Sequence, residues 1–238
     1  MENYLRSIKI NRDITDSTNY YERIPAISSI NQLDFNKNIT FFVGENGTGK
    51  STLLEGIAVK YGFNPEGGSI NFNFSSRNTH SQLYDQITLV KSMRRAKDGF
   101  FFRAESFYNV ASEIDDLDLW KYYGGESLHK QSHGESFFSL IMERFRGNGL
   151  YLLDEPEAAL SPQRQLSLII RITQLIEANS QFIIATHSPI LLGMDRAEIY
   201  SLDDGEMKLV KYEETESYQI TKMFLDNRDG VLRNLLRG

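Results

Sequence analysis

Apolar residues in this chain gather in short unbroken runs that alternate with longer segments of helical periodicity. The short runs predict buried strands at residues 39–43, 99–104, 150–153 and 181–185. The periodic segments predict helices at residues 51–60, 137–145 and 162–178. Because strands that are apolar on both faces are typical of parallel sheets, the pattern predicts an α/β fold with a mostly parallel central sheet flanked by helices.

The segment before residue 39 has a different pattern, in which two strand-like stretches flank a polar, turn-like stretch at residues 11–21. Residues 4–10 alternate as a strand with one buried face does, and residues 22–30 place apolar side chains around Pro25 as an edge strand does. Two strands ahead of the central sheet predict a small N-terminal antiparallel β region. Residues 69–74 also alternate and predict a further strand.

The predicted strand at residues 39–43 leads into a glycine-rich loop that fits the phosphate-binding pattern G-x-x-x-x-G-K-[ST], called Walker A. The candidate phosphate-binding residues are Gly44, Glu45, Asn46, Gly47, Thr48, Gly49, Lys50, Ser51 and Thr52. Glycines let backbone N–H groups close around phosphate oxygens, and the following helix points its positive end at the same anion. We expect Lys50 to reach the β- and γ-phosphates of ATP and Ser51 to bind Mg²⁺.

The predicted strand at residues 150–153 ends in two acids, Asp154 and Glu155, which is the Walker B pattern. We expect Asp154 to hold Mg²⁺ through water, opposite Ser51. Glu155 comes one residue later, where an alternating strand turns its side chain to the other side. It is therefore the candidate that orients or activates the attacking water.

Two further positions carry candidate chemistry at the ends of elements. Ser132 and Gly134 precede an apolar helix, where a hydroxyl and free N–H groups either bind an anion or simply cap the helix. His187 follows the last predicted strand, on the edge where ligands bind to parallel sheets, so we expect it near the γ-phosphate. It does not form a hydrolytic dyad with Ser188, since adjacent side chains on an extended chain point apart. The four histidines lack metal-ligand spacing, so no zinc site is predicted.

Composition narrows the class of protein. The formal net charge is −6 and the chain has no cysteine, which excludes disulfides and thiol chemistry. The acidic balance does not indicate a nucleic-acid partner. One basic run, Lys91, Arg94, Arg95 and Lys97, either contacts a phosphate backbone or is a solvated face, and the acidic whole favours the solvated face. Because the N-terminus lacks an apolar signal core and no stretch approaches the roughly 20 apolar residues that span a bilayer, we expect a cytoplasmic protein without a membrane segment of its own.

In their order along the chain, these motifs resemble an ABC-type ATPase domain. Walker A is followed by a signature-like segment at residues 131–135, then by Walker B and a switch histidine, His187. The resemblance covers most of residues 39–190 and implies an ATPase with the P-loop NTPase fold. It also implies a single domain over residues 1–238, with a helical signature subdomain inserted at about residues 106–147.

The resemblance further implies a second copy of the chain as partner, in a head-to-tail homodimer around two Mg-ATP. Ser132 and Gly134 of one copy would close over the ATP held by the other. Residues 158–161 would form the D-loop that crosses the interface. Glu155 and His187 would then act on the γ-phosphate.

Several details depart from the common pattern of the family. The signature reads Ser-His-Gly-Glu where the family has Ser-Gly-Gly-Gln. The acid and histidine segments are similar to compact stand-alone ATPases related to the chromosome-maintenance and DNA-repair branch. About eighty residues separate Ser51 from Ser132, too few for the long coiled coil of the repair enzymes.

The positions that would contact the rest of the nucleotide stay open. Glu105 stands where the family has a lid glutamine after a mid-chain strand, and Gln82 and Gln86 are other candidates. Tyr20 or Tyr21 would stack on adenine or lie on the surface, and the surface interpretation is favoured.

Three functions are compatible with these residues. The first is an ATPase whose ATP-driven dimerisation works a protein partner or nucleic acid, in a bacterial defence or toxin–antitoxin-like module according to the resemblance. The alternative is the nucleotide-binding subunit of a membrane ABC transporter. The chain length fits this alternative, whereas the sequences of the signature and D-loop segments do not. The third, a binding module that hardly hydrolyses ATP, conflicts with the presence of Lys50, Asp154, Glu155 and His187 together.

Overall fold

The computed structural model describes residues 2–11, 20–70, 82–116 and 133–236. The strands are β1 Leu5–Ile10, β2 Gln32–Asp34, β3 Ile39–Val43, β4 Ile87–Lys91, β5 Asp98–Arg103, β6 Gly149–Asp154, β7 Gln181–Ala185, β8 Glu198–Ser201 and β9 Lys208–Val210. The helices are α1 Pro25–Ser29, α2 Lys50–Tyr61, α3 Leu83–Gln86, α4 Phe107–Asp116, α5 His133–Ser139, α6 Pro162–Glu177, α7 Pro189–Leu192, α8 Glu216–Asp226 and α9 Arg228–Leu236. Among these helices, none is both long and apolar enough to cross a membrane.

A six-stranded sheet with the order β5-β6-β7-β3-β8-β9 forms the centre of the fold. All neighbouring strands in it are parallel except β8 and β9, which are antiparallel. The four apolar runs predicted as buried strands are β3, β5, β6 and β7, and every residue of β3, β6 and β7 is buried. The predicted α/β fold with a mostly parallel central sheet is confirmed.

Successive residues of these strands pack into two different cores, one on each face of the sheet. Phe41 belongs to the core that contains Leu168 and Ile172 of α6. Phe42, the next residue, belongs to the core that contains Leu53 and Ile57 of α2. Because side chains alternate across a strand, a continuous apolar run is what lets one sheet carry helices on both faces.

A separate three-stranded antiparallel sheet, with the order β2-β1-β4, packs on the α2 side. It confirms the predicted N-terminal antiparallel β region, but of its three strands only β1 was predicted. Residues 22–30, predicted as an edge strand, instead contain the end of a 3₁₀ turn, Tyr20–Arg23, and helix α1. Pro25 occupies the first turn of α1, where its fixed φ suits a helix and its missing N–H costs nothing.

The helices begin and end close to the predicted positions. Ser161 caps α6 by accepting a hydrogen bond from the Arg164 N–H, and Pro162 is its first residue. The helix predicted at residues 137–145 begins earlier, as α5, and continues as a π-helical turn over Leu140–Arg144. The strand predicted at residues 69–74 lies almost entirely outside the described residues.

Candidate functional site

Three loops meet at the carboxyl edge of the central sheet. The order β6-β7-β3 places the ends of these strands side by side, with Asp154 opposite Ala185 and Ala185 opposite Phe42. The glycine-rich loop follows β3, the acid pair ends β6, and His187 follows β7. Sheet order, rather than proximity in sequence, therefore brings the predicted site residues together at the edge where parallel sheets bind ligands.

The glycine-rich loop has a backbone that only glycine adopts without strain. Gly44 and Gly49 have φ angles of 142° and 100°. A Cβ on Gly49 would lie 2.8 Å from Ile24 Cγ2 and 2.9 Å from Ile27 Cδ1, so the loop is packed directly onto α1. A Cβ on Gly44 would lie 2.9 Å from Asp203 Oδ1. The loop thus forms a cradle whose inner surface is backbone, as a phosphate group requires.

Lys50 lies inside this cradle. Its Nζ donates hydrogen bonds of 2.8 Å to the carbonyl oxygens of both Gly44 and Glu45, and the residue is only 4% exposed. Burial lowers the pKa of Lys50, while the nearby carboxylates, with Glu155 and Asp154 foremost, oppose that shift. A cation held among backbone carbonyls and acids is poised for exchange onto an anionic ligand.

Asp203, which the sequence reasoning missed, holds the loop from the other side. Its Oδ1 accepts the backbone N–H of Glu45 at 2.9 Å, and its Oδ2 accepts the Ser201 hydroxyl at 2.8 Å. Asp203 follows β8, the strand that pairs with β3 on the side away from β7. An acidic residue that follows a strand near the C-terminal end of the sequence matches no known motif, so its role becomes visible only from the order of the strands in the sheet.

Ser51 and Asp154 form the candidate magnesium site. The Ser51 hydroxyl donates to Asp154 Oδ1 at 2.9 Å, and Asp154 is 6% exposed. Burial raises the pKa of Asp154 to about 6, against the lowering effects of the Ser51 hydrogen bond and of Arg103. A hydroxyl and one carboxylate fit Mg²⁺, which takes few protein ligands and completes its shell with phosphate and water. The described residues contain no cluster of three or more His, Asp or Glu side chains that would hold a metal ion without phosphate and water.

Arg103 is a second residue that the sequence reasoning missed. It ends β5 directly opposite Asp154, with Nε 3.8 Å from Asp154 Oδ2. Its Nη1 donates to Glu55 Oε2 of α2 at 2.6 Å. Glu105, the candidate lid residue, follows at the same edge with its side chain 88% exposed and its Oε2 3.9 Å from Arg103 Nη2. Gln86, by contrast, is the last residue of α3, directly before β4 of the antiparallel sheet.

Glu155 and His187 face each other at the open side of the site. Their Oε1 and Nε2 atoms are 3.8 Å apart, and their side chains are 39% and 38% exposed. Glu155 has a φ of 51°, which turns the chain sharply after Asp154, and its N–H donates to the Ala185 carbonyl at 2.9 Å. Both residues line the same cavity as the start of the glycine-rich loop.

Beside this pair lies a cavity of about 660 Å³. It is lined by the start of the glycine-rich loop, by Glu155 and His187, and by the first turns of α8 from Thr215 to Thr221. Tyr21 does not reach it as an exposed ring, because it is 3% exposed in the core next to α2. The surface interpretation of Tyr21 is therefore wrong, and the side chain of Tyr20 lies outside the described residues.

The signature-like segment is described only in part. Ser132 lies outside the described residues, whereas Gly134 is buried in the first turn of α5. A Cβ on Gly134 would overlap the carbonyl oxygen of Ala159, in the segment predicted as the D-loop. Glu135 on the same turn contacts Arg164 Nη2 at 3.3 Å. The structure thus joins the signature helix to the D-loop segment within one chain.

Comparison with known proteins finds partial matches to two family models and to proteins of ABC transporters. The family models "AAA domain" and "AAA ATPase domain" match residues 26–135 and 127–192. The chain is 26% identical over 205 residues to the phosphate import ATP-binding protein PstB 1 of Streptococcus pneumoniae, covering 80% of this chain and 75% of that protein. It is 28% identical over 171 residues to the ABC transporter G family member STR2 of Medicago truncatula, covering 63% of this chain but only 24% of that protein.

The fold also has a counterpart among solved structures. The cbiO1 protein from Clostridium perfringens, part of the ABC transporter complex cbiONQ, matches over the full length of both chains with a TM-score of 0.51 and 18% sequence identity. At that identity the likeness bears on the fold alone. The motif geometry, the two partial family-model matches and this fold together indicate an ATP-hydrolysing P-loop domain that is similar to ABC-type ATPases.

Proposed function

We propose that the protein binds and hydrolyses Mg-ATP as a head-to-tail homodimer around two nucleotides, and that this cycle works a partner protein or nucleic acid. The proposal is carried by one observation. Lys50, the Ser51–Asp154 pair and the Glu155–His187 pair converge on one edge of the sheet, beside an open cavity. These are the parts that phosphoryl transfer to water requires.

Each group then has a role. The loop from Gly44 to Thr52 holds the triphosphate through its backbone N–H groups and Lys50. Ser51 and Asp154 hold Mg²⁺, which when bound neutralises the charge of the β- and γ-phosphates. Glu155 orients a water and accepts its proton, while the water oxygen bonds to the terminal phosphorus and ADP leaves. His187 orients the γ-phosphate.

The dimer is supported by the solvent exposure of the reacting side chains in a single chain. Glu155 and His187 are each almost two-fifths exposed, although efficient hydrolysis needs the reacting groups shielded from bulk water. We propose that Ser132 and Gly134 of the second copy complete the site. The contact between Gly134 and Ala159 supports a continuous interface in which the signature helix and the D-loop segment move together.

Two versions of this function differ in the partner on which the ATPase acts. The sequences of the signature and D-loop segments support a stand-alone ATPase of the chromosome-maintenance and DNA-repair branch, acting in a bacterial defence or toxin–antitoxin-like module. The likeness to PstB 1, an ATP-binding protein of phosphate import, covers 80% of the chain and favours the alternative, a nucleotide-binding subunit of an ABC transporter. A cytoplasmic location stays a prediction in both versions.

The proposal also includes the organisation of the chain. We propose one ABC-type domain over residues 1–238 with a helical subdomain at about residues 106–147. Helices α4 and α5 support this, because Phe107, Ile114 and Phe137 pack in the same core as α6. The subdomain would carry the signature of one copy to the nucleotide of the other.

A trapped dimer tests the central claim. Glu155→Gln should bind Mg-ATP without turning it over, so size-exclusion chromatography with light scattering should show a dimer only when ATP is present. Adding Lys50→Ala to that variant should return it to a monomer, which controls for association unrelated to nucleotide. If Glu155→Gln stays monomeric at saturating ATP, the homodimer is wrong. If Lys50→Ala retains ATP hydrolysis, the assigned site is wrong.

Affinity capture separates the two partner versions. Glu155→Gln with ATP, captured from the native host, should retain partners that Lys50→Ala does not. Recovery of a membrane permease supports the transporter subunit. Recovery of a nuclease or a toxin supports the stand-alone ATPase.

A further inference from the structure

Two side chains from the stretch that follows Asp154 hold the loop that carries His187. Glu157 Oε1 accepts the backbone N–H of His187 at 2.6 Å. Gln165 Oε1 accepts the Ser188 hydroxyl, also at 2.6 Å. Two consecutive residues of this loop are therefore each anchored by a different residue of the stretch 157–165, which includes the D-loop segment.

Gln165 uses both ends of its amide. While its Oε1 accepts from Ser188, its Nε2 donates to the carbonyl oxygen of Leu160 at 3.1 Å. The residue lies near the start of α6 and is 8% exposed. Among side chains, an amide is suited to bridge a hydroxyl donor and a carbonyl acceptor without carrying charge. Gln165 is thus a bridge from the segment 158–161 to the loop of His187.

At the Ser188 end of this bridge, hydrogen bonds fix the position of the side chain. The Ser188 oxygen caps α7, accepting the N–H groups of Ile190 at 3.2 Å and Leu191 at 3.1 Å. With its oxygen engaged by α7, the hydroxyl proton points to Gln165. Ser188 is 5% exposed, so water does not compete for either interaction. A displacement of Gln165 must consequently move Ser188 or break a buried hydrogen bond.

We propose that Gln165 is a positioning residue that couples the segment 158–161 to the switch histidine. Pressure of a second copy on this segment moves the Leu160 carbonyl, and Gln165 transmits the movement through Ser188 to His187. The intermolecular part of this coupling rests on the proposed homodimer, whereas the link from Gln165 to His187 exists within one chain. Because misplacing a catalytic group by about 1 Å costs on the order of a hundredfold in rate, a short bridge of this kind can control turnover.

Gln165 is not needed to hold α6 in place. The helix is anchored by Leu168, Ile172 and Leu175, which are at most 2% exposed in the core, and by the Ser161 cap. Replacing Gln165 by Met keeps the length of the side chain and its helix propensity but removes both hydrogen bonds. The exposed Gln174 on the same helix provides the matched control, since Gln174→Met makes the same chemical change away from the loop of His187.

The intramolecular link is tested on the nucleotide-free monomer, so this arm does not depend on dimerisation. With histidine-selective isotope labelling, the His187 imidazole resonances can be assigned by their loss in His187→Gln. Gln165→Met should shift or broaden these resonances, and Gln174→Met should leave them at their wild-type positions. Unchanged His187 resonances in Gln165→Met would overturn the proposal even if the homodimer forms.

The kinetic arm tests the consequence for turnover. Gln165→Met should lower kcat for ATP about tenfold or more while KM stays within about twofold of wild type, because the residue acts on a reacting group and not on ATP binding. Gln165→Glu keeps the acceptor for Ser188 but can donate to Leu160 only when protonated, so its kcat relative to wild type should be higher at about pH 6 than at about pH 8. Wild-type kcat in Gln165→Met overturns the proposal. Failure of Glu155→Gln to dimerise, with the His187 resonances shifted as expected, overturns only the proposed homodimer and the intermolecular half of the coupling.

Discussion

The hydroxyl of Ser51 donates a hydrogen bond of 2.9 Å to Oδ1 of Asp154, a residue 103 positions later in the chain. The bond joins the first turn of α2 to the end of β6, two elements that meet only because β6, β7 and β3 are neighbours in the sheet. It fixes the distance between the two groups that we expect to bind Mg²⁺. It also keeps a carboxylate in a place where, without a metal, its charge is costly.

That cost predicts a trade between stability and function at Asp154. Burial raises the pKa of Asp154 from 3.8 to about 6, so the folded state binds the proton more tightly than the unfolded state does. The metal-free protein should lose up to about 3 kcal/mol as pH rises from about 4 to about 6, and this loss persists at higher pH. Asp154→Asn should therefore raise the thermal midpoint of the nucleotide-free protein at pH 8 and abolish Mg-dependent turnover.

The pH dependence provides the control for this prediction. At a pH below about 3 the wild-type carboxyl is mostly protonated in both states, and the stability advantage of Asp154→Asn should vanish. Differential scanning fluorimetry across this range, without metal or nucleotide, measures it. An equal advantage at every pH would mean that the substitution acts through packing and not through charge.

Arg103 should be important for folding stability as well as for the site. Its guanidinium lies 2.6 Å from the Glu55 carboxylate and 3.8 Å from that of Asp154, and all three side chains are at most 17% exposed. Removing one partner of a buried ion pair costs roughly 3–5 kcal/mol, so we expect Arg103→Met to lower the free energy of unfolding in urea by about 3 kcal/mol. The loss of Arg103 should also raise the pKa of Asp154 further, because Arg103 lowers it.

Two further variants control the Arg103 measurement. Arg95→Met removes an exposed arginine and should change the unfolding free energy by less than about 0.5 kcal/mol. Combining Arg103→Met with Glu55→Gln should recover part of the loss, since the buried carboxylate is then neutral. Additive effects of the two substitutions would show that the pair is not coupled.

The sequence predicted the central strands and the motif residues because each depends on local chemistry. Continuous apolar runs such as Ile39–Val43 fit a strand buried on both faces, and the glycine-rich loop follows one of them. Arg103, Asp203 and Gln165 could not be found in this way. Each acts on a residue that is distant in sequence and becomes its neighbour only through the order of the strands.

One local prediction was wrong for a local reason. Residues 22–30 contain apolar residues around a proline, a pattern that fits an edge strand as well as a short helix with proline in its first turn. Packing decides between them, because Ala26 and Ile27 of α1 fill the space behind the glycine-rich loop, where Ile27 approaches Gly49. Contacts of this kind are absent from the sequence pattern.

The two buried glycines Gly49 and Gly134 should separate nucleotide binding from turnover. A Cβ on Gly49 meets Ile24 and Ile27 and strains a φ of 100°, so Gly49→Ala should abolish binding of a fluorescent ATP analogue. A Cβ on Gly134 meets the Ala159 carbonyl instead, so Gly134→Ala should retain that binding and lower kcat by about tenfold or more. Loss of ATP binding in Gly134→Ala with an intact fold would place Gly134 in the site of its own chain.

Mixed dimers provide the sharpest test of a site shared between two copies. Lys50→Ala disables the glycine-rich loop, and Gly134→Ala disables the signature turn, so each variant alone should be nearly inactive. In a mixed dimer, one of the two nucleotides lies between the intact loop of the Gly134→Ala copy and the intact signature turn of the Lys50→Ala copy. Because each mixed dimer contains one intact composite site, turnover should rise well above that of either variant alone when equal amounts are combined. A site contained within one chain predicts the opposite, since mixing two inactive chains would then give only the average of their residual rates.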